Sequence, residues 1–465
     1  MQTHSREQQR RVLLATSISY VVVILDTSIV NVALERIGAS LAGGVAGLQW
    51  VVNAYTLTFA SLLLTGGTLG DRLGARNVYM AGLATFTVAS AWCGAAPSLA
   101  LLTAGRVLQG IGAALLVPAS MALIHGACAS ARERAAAFGV WAGLGGVAMA
   151  AGPLLGGVII GLAGWRSLFL LNVPVCLAGI VMAARVAPPT GARASRRLDL
   201  AGQAAAIAAL ALLNAAIIEA PSRGWLSPFV VAGLVVAVAA ALAFVALQKH
   251  RAQPMLPLGF FRQPVFGAAV LVSMISAFTF YGLLFDLSLY FQQTRGYAPW
   301  RAGLAFLPLT VVVPAGSLLS RRAVAWLGPR ALVALACLLA GAGYLGAAAC
   351  VPGARYAVLA MPLPAIGLAA SLITPAATAA LMATVDQARS GVAAGVLNAA
   401  RQTGAALGVA VAGAWLGASL SIGAGMRANL LVAAVLSVVA AWTWWRAWAR
   451  HASLPQSVEK ATAAK

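Results

Sequence analysis

Leu99-Ala-Leu-Leu-Thr-Ala-Gly-Arg106-Val-Leu-Gln109-Gly110-Ile-Gly112-Ala-Ala-Leu-Leu-Val-Pro-Ala-Ser-Met-Ala-Leu-Ile124 is a run of 26 residues with one charge, Arg106. As an α-helix it is about 39 Å long, more than the roughly 30 Å of hydrocarbon in a bilayer. Backbone groups find no water there, so the segment must satisfy its own hydrogen bonds. A helix does this. The alternative, a closed β-barrel, needs short alternating segments that this chain lacks. Thirteen further runs predict spans at 12–34, 48–70, 78–97, 134–163, 166–185, 199–220, 227–247, 263–292, 299–320, 329–350, 355–384, 390–419 and 428–447. The expected fold is an all-α polytopic membrane protein with 14 transmembrane helices. Composition agrees: of 465 residues, 61% are hydrophobic and 9% charged, with mean hydropathy +0.90. A soluble surface needs about 25% charge, so a soluble enzyme is excluded, as is a disordered chain. Loops are short and leave no room for a large extramembrane domain.

The net charge of +21 is spread in ones, twos and threes between apolar runs. There is no basic cluster with interleaved aromatics, so nucleic acid is not a partner. With both termini cytoplasmic, the inner segments hold twenty-two Lys and Arg and the outer segments seven, while Arg106 and Arg401 lie inside spans. This bias obeys the positive-inside rule and places the chain in the cell (cytoplasmic, inner) membrane. The five cysteines are far apart, with no metal or redox spacing, and read as small apolar packing residues. The polar start, Met1 to Arg11, precedes an apolar run too long for a signal-peptide core, which is read as an uncleaved first span. Trp442, Trp444, Trp445 and Trp448 form an interfacial belt at the last span.

Two polar connectors, Ala187 to Leu198 and Gln248 to Gln263, bracket spans seven and eight. The predicted organisation is an N-terminal six-helix bundle (1–186), linkers with an inserted helix pair (187–262), and a C-terminal six-helix bundle with its tail (263–465). A faint repeat supports the two halves. Gly67-Thr-Leu-Gly-Asp71-Arg72-Leu-Gly74-Ala-Arg76 follows span two, and Gly316-Ser-Leu-Leu-Ser-Arg-Arg, then Leu327-Gly-Pro-Arg330, follows span ten. Repeated halves with a site between them near the midplane are a transporter architecture.

Gly67-x-Leu-x-Asp71-Arg72-x-Gly74-x-Arg76 resembles the loop motif of the major facilitator superfamily. Leu25-Asp26-Thr-Ser-Ile-Val-Asn31-Val-Ala-Leu34 resembles the first-helix motif of its drug:proton antiporters, with Glu35 where proline is usual. Arg106-Val-Leu-Gln109-Gly110-Ile-Gly112 resembles the intramembrane arginine motif. Gly143-Leu-Gly-Gly-Val-Ala-Met-Ala-Ala-Gly152-Pro153-Leu-Leu-Gly156-Gly157 resembles the antiporter motif, with Ala148 at its first glycine. Trp165-Arg-Ser-Leu-Phe-Leu-Leu-Asn172-Val-Pro174 and Leu397-Asn-Ala-Ala-Arg401-Gln-Thr-Gly404 also fit. The chain resembles the fourteen-helix drug:proton antiporters over nearly its whole length. The resemblance implies a non-enzymatic, proton-coupled antiporter that exports small hydrophobic or cationic compounds by alternating access. Uptake symport on the same fold and a membrane-embedded enzyme are the alternatives.

The residues themselves point the same way. Asp26 and Arg106 fall at one depth, roughly 10–12 Å below the outer face, and can pair if their helices adjoin. Intramembrane charges are by default functional, so Asp26, Arg106 and a second acid, Asp286, are the proton-coupling candidates. Asp286 interrupts the aromatic run Phe280 to Leu289, where the family does not usually have an acid. The substrate-binding candidates are Asn31, Gln49, Asn53, Tyr55, Gln109, Tyr281, Phe285, Asp286, Tyr290 and Arg401. Gly152-Pro153, with Gly156 and Gly157, bends span five and lets another helix approach closely. With the loop residues Gly67, Asp71, Arg72, Gly74 and Arg76, these are the conformational motifs. No GxxxxGK[ST] sequence and no metal-ligand cluster is present. The predicted energy source is therefore an ion gradient, which the resemblance implies is a proton gradient, with no cofactor. The expected partners are protons, a small-molecule substrate and the lipid bilayer, and the chain is read as a monomer.

Overall fold

A computed structural model describes residues 6–128, 130–186, 199–251, 254–351, 353, 355–386 and 389–452. The expected linker at 187–198 lies outside the described residues. The N-terminal helices are α1 (Arg6–Leu41), α2 (Val45–Leu73), α3 (Ala75–Ala95), α4 (Leu99–Ala127), α5 (Ala131–Ala163) and α6 (Asn172–Val186). An intermediate pair follows, α7 (Leu200–Arg223) and α8 (Pro228–His250). The C-terminal helices are α9 (Pro264–Leu289), α10 (Val312–Cys350), α11 (Leu363–Met382), α12 (Ser390–Ala418) and α13 (Ile422–Ala452). A π-helical turn, Tyr290–Thr294, ends α9, and two short helices, Pro299–Ala305 and Leu307–Thr310, lead into α10.

Local chemistry sets the boundaries. Gly74, at φ 88°, turns α2 directly into α3, a conformation that a Cβ disfavours. The Ser98 hydroxyl caps α4 at the Leu101 amide (3.3 Å), and Ser130 with Glu133 forms a reciprocal capping box on α5. Gly328, at φ 72°, interrupts α10 before Pro329.

Among the described residues, twelve helices are long and apolar enough to cross a membrane. The sequence predicts fourteen runs, and the difference has two sources. The runs at 299–320 and 329–350 join into one helical stretch, Pro299–Cys350, of 52 residues. The run at 390–419 forms α12 but is less apolar than the twelve, because Asn398, Arg401 and Gln402 lie within it.

The cores show how the elements are layered. One cluster contains only residues of α1–α6, such as Tyr79, Phe86 and Trp141. A second contains only residues of α9–α13, such as Phe266, Leu332 and Trp444. A third is shared: Val32 and Leu48 from the N-terminal helices pack with Phe285, Phe291 and Leu416 from the C-terminal ones. The separate cores lie toward the face where α1 starts and α13 ends, here the chain-end face, and the shared core lies toward the far face. α7 and α8 pack on each other through a small cluster of Ala216, Ala220 and Val230. α7 is tied to α2, with Gln203 Nε2 donating to the Ser61 carbonyl at 2.7 Å, and to α12, where Pro221 meets Gly417. α8 buries only Val230, Ala237 and Gln248 and exposes Val235, Val238 and Leu242, a surface suited to lipid and not to water.

The far face is closed by side chains that grip main-chain carbonyls across the two groups of helices. Ser288 Oγ donates to the Asn31 carbonyl, and Gln292 Nε2 donates to the Val32 carbonyl at 3.0 Å. Gln49 Nε2 donates to the carbonyls of Ala410 (2.7 Å) and Val409 (3.2 Å). These carbonyls belong to helices and keep their intrahelical partners when the grip is released, so only the donors lose a bond. A neutral hydrogen bond contributes about 1 kcal/mol net. Replacing both amides (Gln49→Ala with Gln292→Ala) should therefore favour opening of the far face by about 2 kcal/mol, roughly thirtyfold. Spin labels on the exposed residues Ser40 and Thr294 should report a new, longer distance population in the double variant. An unchanged distribution would remove these contacts from the closure.

Candidate substrate pathway and intramembrane charge site

Small residues bring α4 into the middle of the N-terminal helices. A Cβ on Gly110 would stand 2.7 Å from the Tyr55 carbonyl of α2, and one on Gly112 would stand 2.9 Å from the Phe86 amide of α3. Arg106 is thereby placed against α1. Its Nη1 pairs with Asp26 Oδ2, and each side chain is 1% exposed. Further hydrogen bonds hold both side chains. Arg106 Nε donates to the Val51 carbonyl (3.1 Å) and Nη1 to Gln109 Oε1 (2.8 Å). Asp26 Oδ1 accepts from Asn172 Nδ2 (3.2 Å) and more weakly from Gln109 Nε2 (3.4 Å). Ser90 Oγ accepts from Gln109 Nε2 at 2.8 Å. The Tyr55 ring covers the guanidinium at 4.3 Å, and its hydroxyl donates to the Val23 carbonyl (3.3 Å). Five of the six N-terminal helices thus meet at one ion pair. The sequence singles out Asp26, Arg106, Gln109 and Tyr55. It misses Ser90 and the structural role of Asn172, although Asn172 stands in a recognised motif.

The second acid sits in different surroundings. Asp286 is fully buried between α9 and α13, where Oδ2 accepts from Asn429 Nδ2 at 2.6 Å and Oδ1 has no hydrogen-bond partner. Gly282, one turn away, lets the Gly408 carbonyl of α12 come within 3.1 Å of where a Cβ would be. Among the described residues no cation pairs with Asp286.

Between the two separate cores lies a cavity of about 670 Å³. Its walls come from α2 (Leu64, Thr68), α4 (Pro118, Met121), α5 (Phe138) and α12 (Ala394, Asn398). Gly67 and Asp71 of the loop motif line it, as do His125, Asp199 and Met255. Arg72 is exposed, and Arg76 Nη2 reaches the Ala184 carbonyl at 2.7 Å, tying α3 to α6. Asp199 is held by Gln248 Nε2 (2.8 Å), the Gly202 amide (2.9 Å) and Arg251 (3.2 Å), which joins the start of α7 to the end of α8.

None of the predicted substrate contacts is among the residues that line this cavity. Gln49 closes the far face, Asn31 donates to the Thr27 carbonyl (3.0 Å), and Phe285 and Tyr290 are buried in the shared core. Asn53 is buried with neither amide atom hydrogen-bonded. These positions lie toward the closed side, so in this conformation a ligand entering from the chain-end face does not reach them. Tyr281 and Arg401 are half-buried. Two aromatic residues that sequence reasoning missed, Tyr20 and Trp141, stack with centroids 3.6 Å apart between α1 and α5. Trp141 has one sequence signal, an aromatic ring in a mostly small-residue stretch, and Tyr20, in a run of branched residues, has none.

The α5 motif marks a close seam. A Cβ on Gly152 would be 2.9 Å from Ser28 Cβ, and one on Gly156 would be 2.6 Å from Ile29 Cγ1, both on α1. A Cβ on Gly157 would be 2.9 Å from Trp300 Cα, and Gly303 reciprocally faces Leu154 Cα at 3.1 Å. α5 therefore presses backbone to backbone on α1 and on the C-terminal segment 299–305, with Pro153 inside the helix.

A buried ion pair in a helical membrane bundle, with a cavity open to one face and a sealed opposite face, defines a membrane transporter. The sequence model of the Major Facilitator Superfamily matches residues 16–202 and 198–409, and the chain belongs to that superfamily. The chain is 36% identical over 439 residues to the methylenomycin A resistance protein of Bacillus subtilis, covering 93% of each. It is 36% identical over 417 residues to the multidrug resistance protein Stp of Mycobacterium tuberculosis, covering 88% of this chain and 76% of that one. These relatives bear out the resemblance to the drug antiporters of the superfamily. A bacterial homologue of the human lysosomal transporter Spinster, inward-facing and unoccupied, shares the fold at TM-score 0.66 and 18% identity, covering 95% of this chain and 97% of that one. A D-xylose–proton symporter also matches at TM-score 0.66, with 16% identity over 94% and 97% of the two chains.

Removing one partner of a buried pair leaves an uncompensated charge and costs about 3–5 kcal/mol. Arg106→Ala should lower the unfolding free energy in detergent by that amount. Adding Asp26→Asn to the same chain should recover at least about 1 kcal/mol, because the stranded charge is gone. Strictly additive losses would mean that the two side chains do not stabilise each other.

Proposed function

We propose that the chain is a proton-coupled antiporter that exports small organic compounds from the cytoplasm by alternating access. The observation that carries this reading is the asymmetry of the cores. The two groups of helices share a core at the far face and are separated by the cavity at the chain-end face. Such a molecule can rock about its seam and expose the cavity to either side. In this reading residues 1–186 and 263–465 are the two moving bodies, and the close α5 seam is where they slide. The charge bias makes the chain-end face cytoplasmic and the membrane the cell membrane, so the structure corresponds to the inward-open state. The chain works as a monomer.

The count that fits this topology is fourteen. Pro299–Cys350 would be about 78 Å long as a straight helix, more than twice the hydrocarbon thickness, and it breaks at Gly328. It therefore supplies two crossings, and α12, between two spanning neighbours, supplies one more than the twelve. Asp26 is the principal proton carrier, with Arg106 as the group that exchanges with the proton. Asp286, away from the cavity and from any cation, is a second proton-binding group. No cofactor takes part. The relatives named as resistance and efflux proteins support export of organic compounds as the physiological task.

In proteoliposomes an imposed pH gradient should drive accumulation of substrate against its concentration gradient without nucleotide. Asp26→Asn should abolish this while leaving substrate binding in place, since the shape of the side chain is kept. Transport that requires nucleotide, or full gradient-driven activity in Asp26→Asn, would overturn the coupling scheme.

A further inference from the structure

The break in α10 and the last turns of α13 together carry positive charge for which the described residues supply no counter-ion. Gly328, at φ 72°, interrupts α10 just before Pro329. The helix that resumes there is fixed from the side. Trp444 of α13 is fully buried, and its indole Nε1 donates to the carbonyls of Pro329 (3.2 Å) and Arg330 (3.1 Å). Leu332 and Val333 pack in the same core as Trp444. Arg330 is thereby held against α13, with its guanidinium carbon 3.9 Å from the centre of the Trp445 ring. Arg446 reaches back one turn to the Trp442 ring, at 4.3 Å. Helical spacing places residues 442, 445 and 446 within an arc of about 100° on α13, so the two stacked guanidinium groups share one face.

Among the described residues neither arginine forms an ion pair, and Arg330 Nε is buried without an acceptor. No Asp or Glu occurs in residues 321–333 or 440–452. A solvated arginine satisfies its donors with water, but a buried N–H without an acceptor is costly and calls for a partner. The surroundings say what kind. Trp442 is 54% and Trp445 48% exposed, at the chain-end side of the last span, and Trp326, two residues before the break, is 90% exposed. Indole rings at the end of a span sit at the level of the lipid headgroups. They suit the boundary between headgroup and acyl chain, and not an anion arriving from water.

We propose that Arg330 and Arg446, framed by Trp442 and Trp445, bind the headgroup of an anionic phospholipid in the leaflet at the chain-end face. Arg330 Nε and a neighbouring Nη form a fork that matches two phosphate oxygens. The Trp445 ring holds the guanidinium plane, and Trp444 fixes the backbone beneath it, so little ordering remains for the lipid to impose. Two cations on one face disfavour a headgroup that brings its own ammonium. The site joins α13 to the second segment of α10, so a bound lipid ties the two helices where α10 is broken. The inference depends on the chain lying in a membrane and not on what it transports.

The test uses the full chain in detergent, titrated with dioleoyl phosphatidylglycerol, dioleoyl phosphatidylcholine or inorganic phosphate, with bound molecules counted by native mass spectrometry. Phosphatidylglycerol should bind about twentyfold more tightly than phosphatidylcholine, from about fivefold per arginine near a charged membrane surface. Arg330→Gln and Arg446→Gln should each cut that preference about fivefold. Arg330→Lys keeps the charge but not the fork, and should cut it less. Arg185→Gln removes one charge from the exposed end of α6 at the same face and should change nothing. Inorganic phosphate should not displace the lipid. If Arg330→Gln does not fold, Arg446→Gln and Arg330→Lys decide. A preference that survives substitution at both 330 and 446 would overturn the site. So would an equal loss in Arg185→Gln, because the lipid would then answer only to the diffuse charge of the face. Displacement by inorganic phosphate would also overturn it, because the ligand would then need no acyl chains.

Discussion

The guanidinium of Arg106 sits where the bilayer offers no water, and the N-terminal helices are arranged so that it never lacks a partner. Asp26 supplies the countercharge, the Val51 carbonyl and Gln109 take two further donors, and the Tyr55 ring covers its face. Each contact comes from a different helix or turn. A pair of charges in hydrocarbon is tolerable only when geometry and further hydrogen bonds repay the loss of hydration. The requirement therefore fixes α1, α2 and α4 relative to one another, and through Ser90 and Asn172 it reaches α3 and α6. Loss of the charge on Asp26 would loosen a junction of five helices, which is what the proposed proton coupling requires.

The remaining architecture divides rigid from movable contacts by their chemistry. Within each group of helices the cores are dense with aromatic and branched side chains. Between the groups, beside the apolar core they share at the far face, the contacts are of two other kinds. One is backbone against backbone at glycines, as at Gly157 with Trp300 and Gly303 with Leu154. Smooth surfaces of this type have no interdigitated side chains to unlock. The other is amide to carbonyl, as at Gln49 and Gln292. Opening the far face exposes those amides to water, which replaces the lost bonds at small cost. Neither kind includes an ion pair, so the closed face can be released without stranding a charge. The inserted pair α7–α8 touches both α2 and α12, yet its own contact with them is narrow and its outer surface is apolar.

The Asp26–Arg106 pairing was legible in the sequence because span parity and distance from the span ends put both side chains at one depth, and hydrocarbon forbids either to remain alone. The α5 seam was legible for a related reason: only glycines at that spacing permit backbone contact, and their number in one helix has no local use. Ser90, Asn172 and Asn429 were not legible. Each is a single polar residue in an apolar run, and its importance lies in which acid it meets. The cavity wall was not legible either. Gln49, Asn53, Tyr55 and Tyr290 are polar or aromatic residues at membrane depth, as cavity residues are, but the same composition serves a closed seam, and only the conformation assigns them to one or the other.

What the sequence determined by itself is everything that follows from solvent. A chain with 9% charge and long apolar runs must be a helical membrane bundle, because no other structure hides its backbone from lipid. Its sparse charges must be paired or functional. Tertiary structure decided which face is open and which polar residue each buried acid meets. Those outcomes depend on small differences among packing contacts between residues hundreds of positions apart. Local pattern carries no record of such differences, because a Gln that bridges two halves and a Gln that lines a cavity are the same residue on the same helical face.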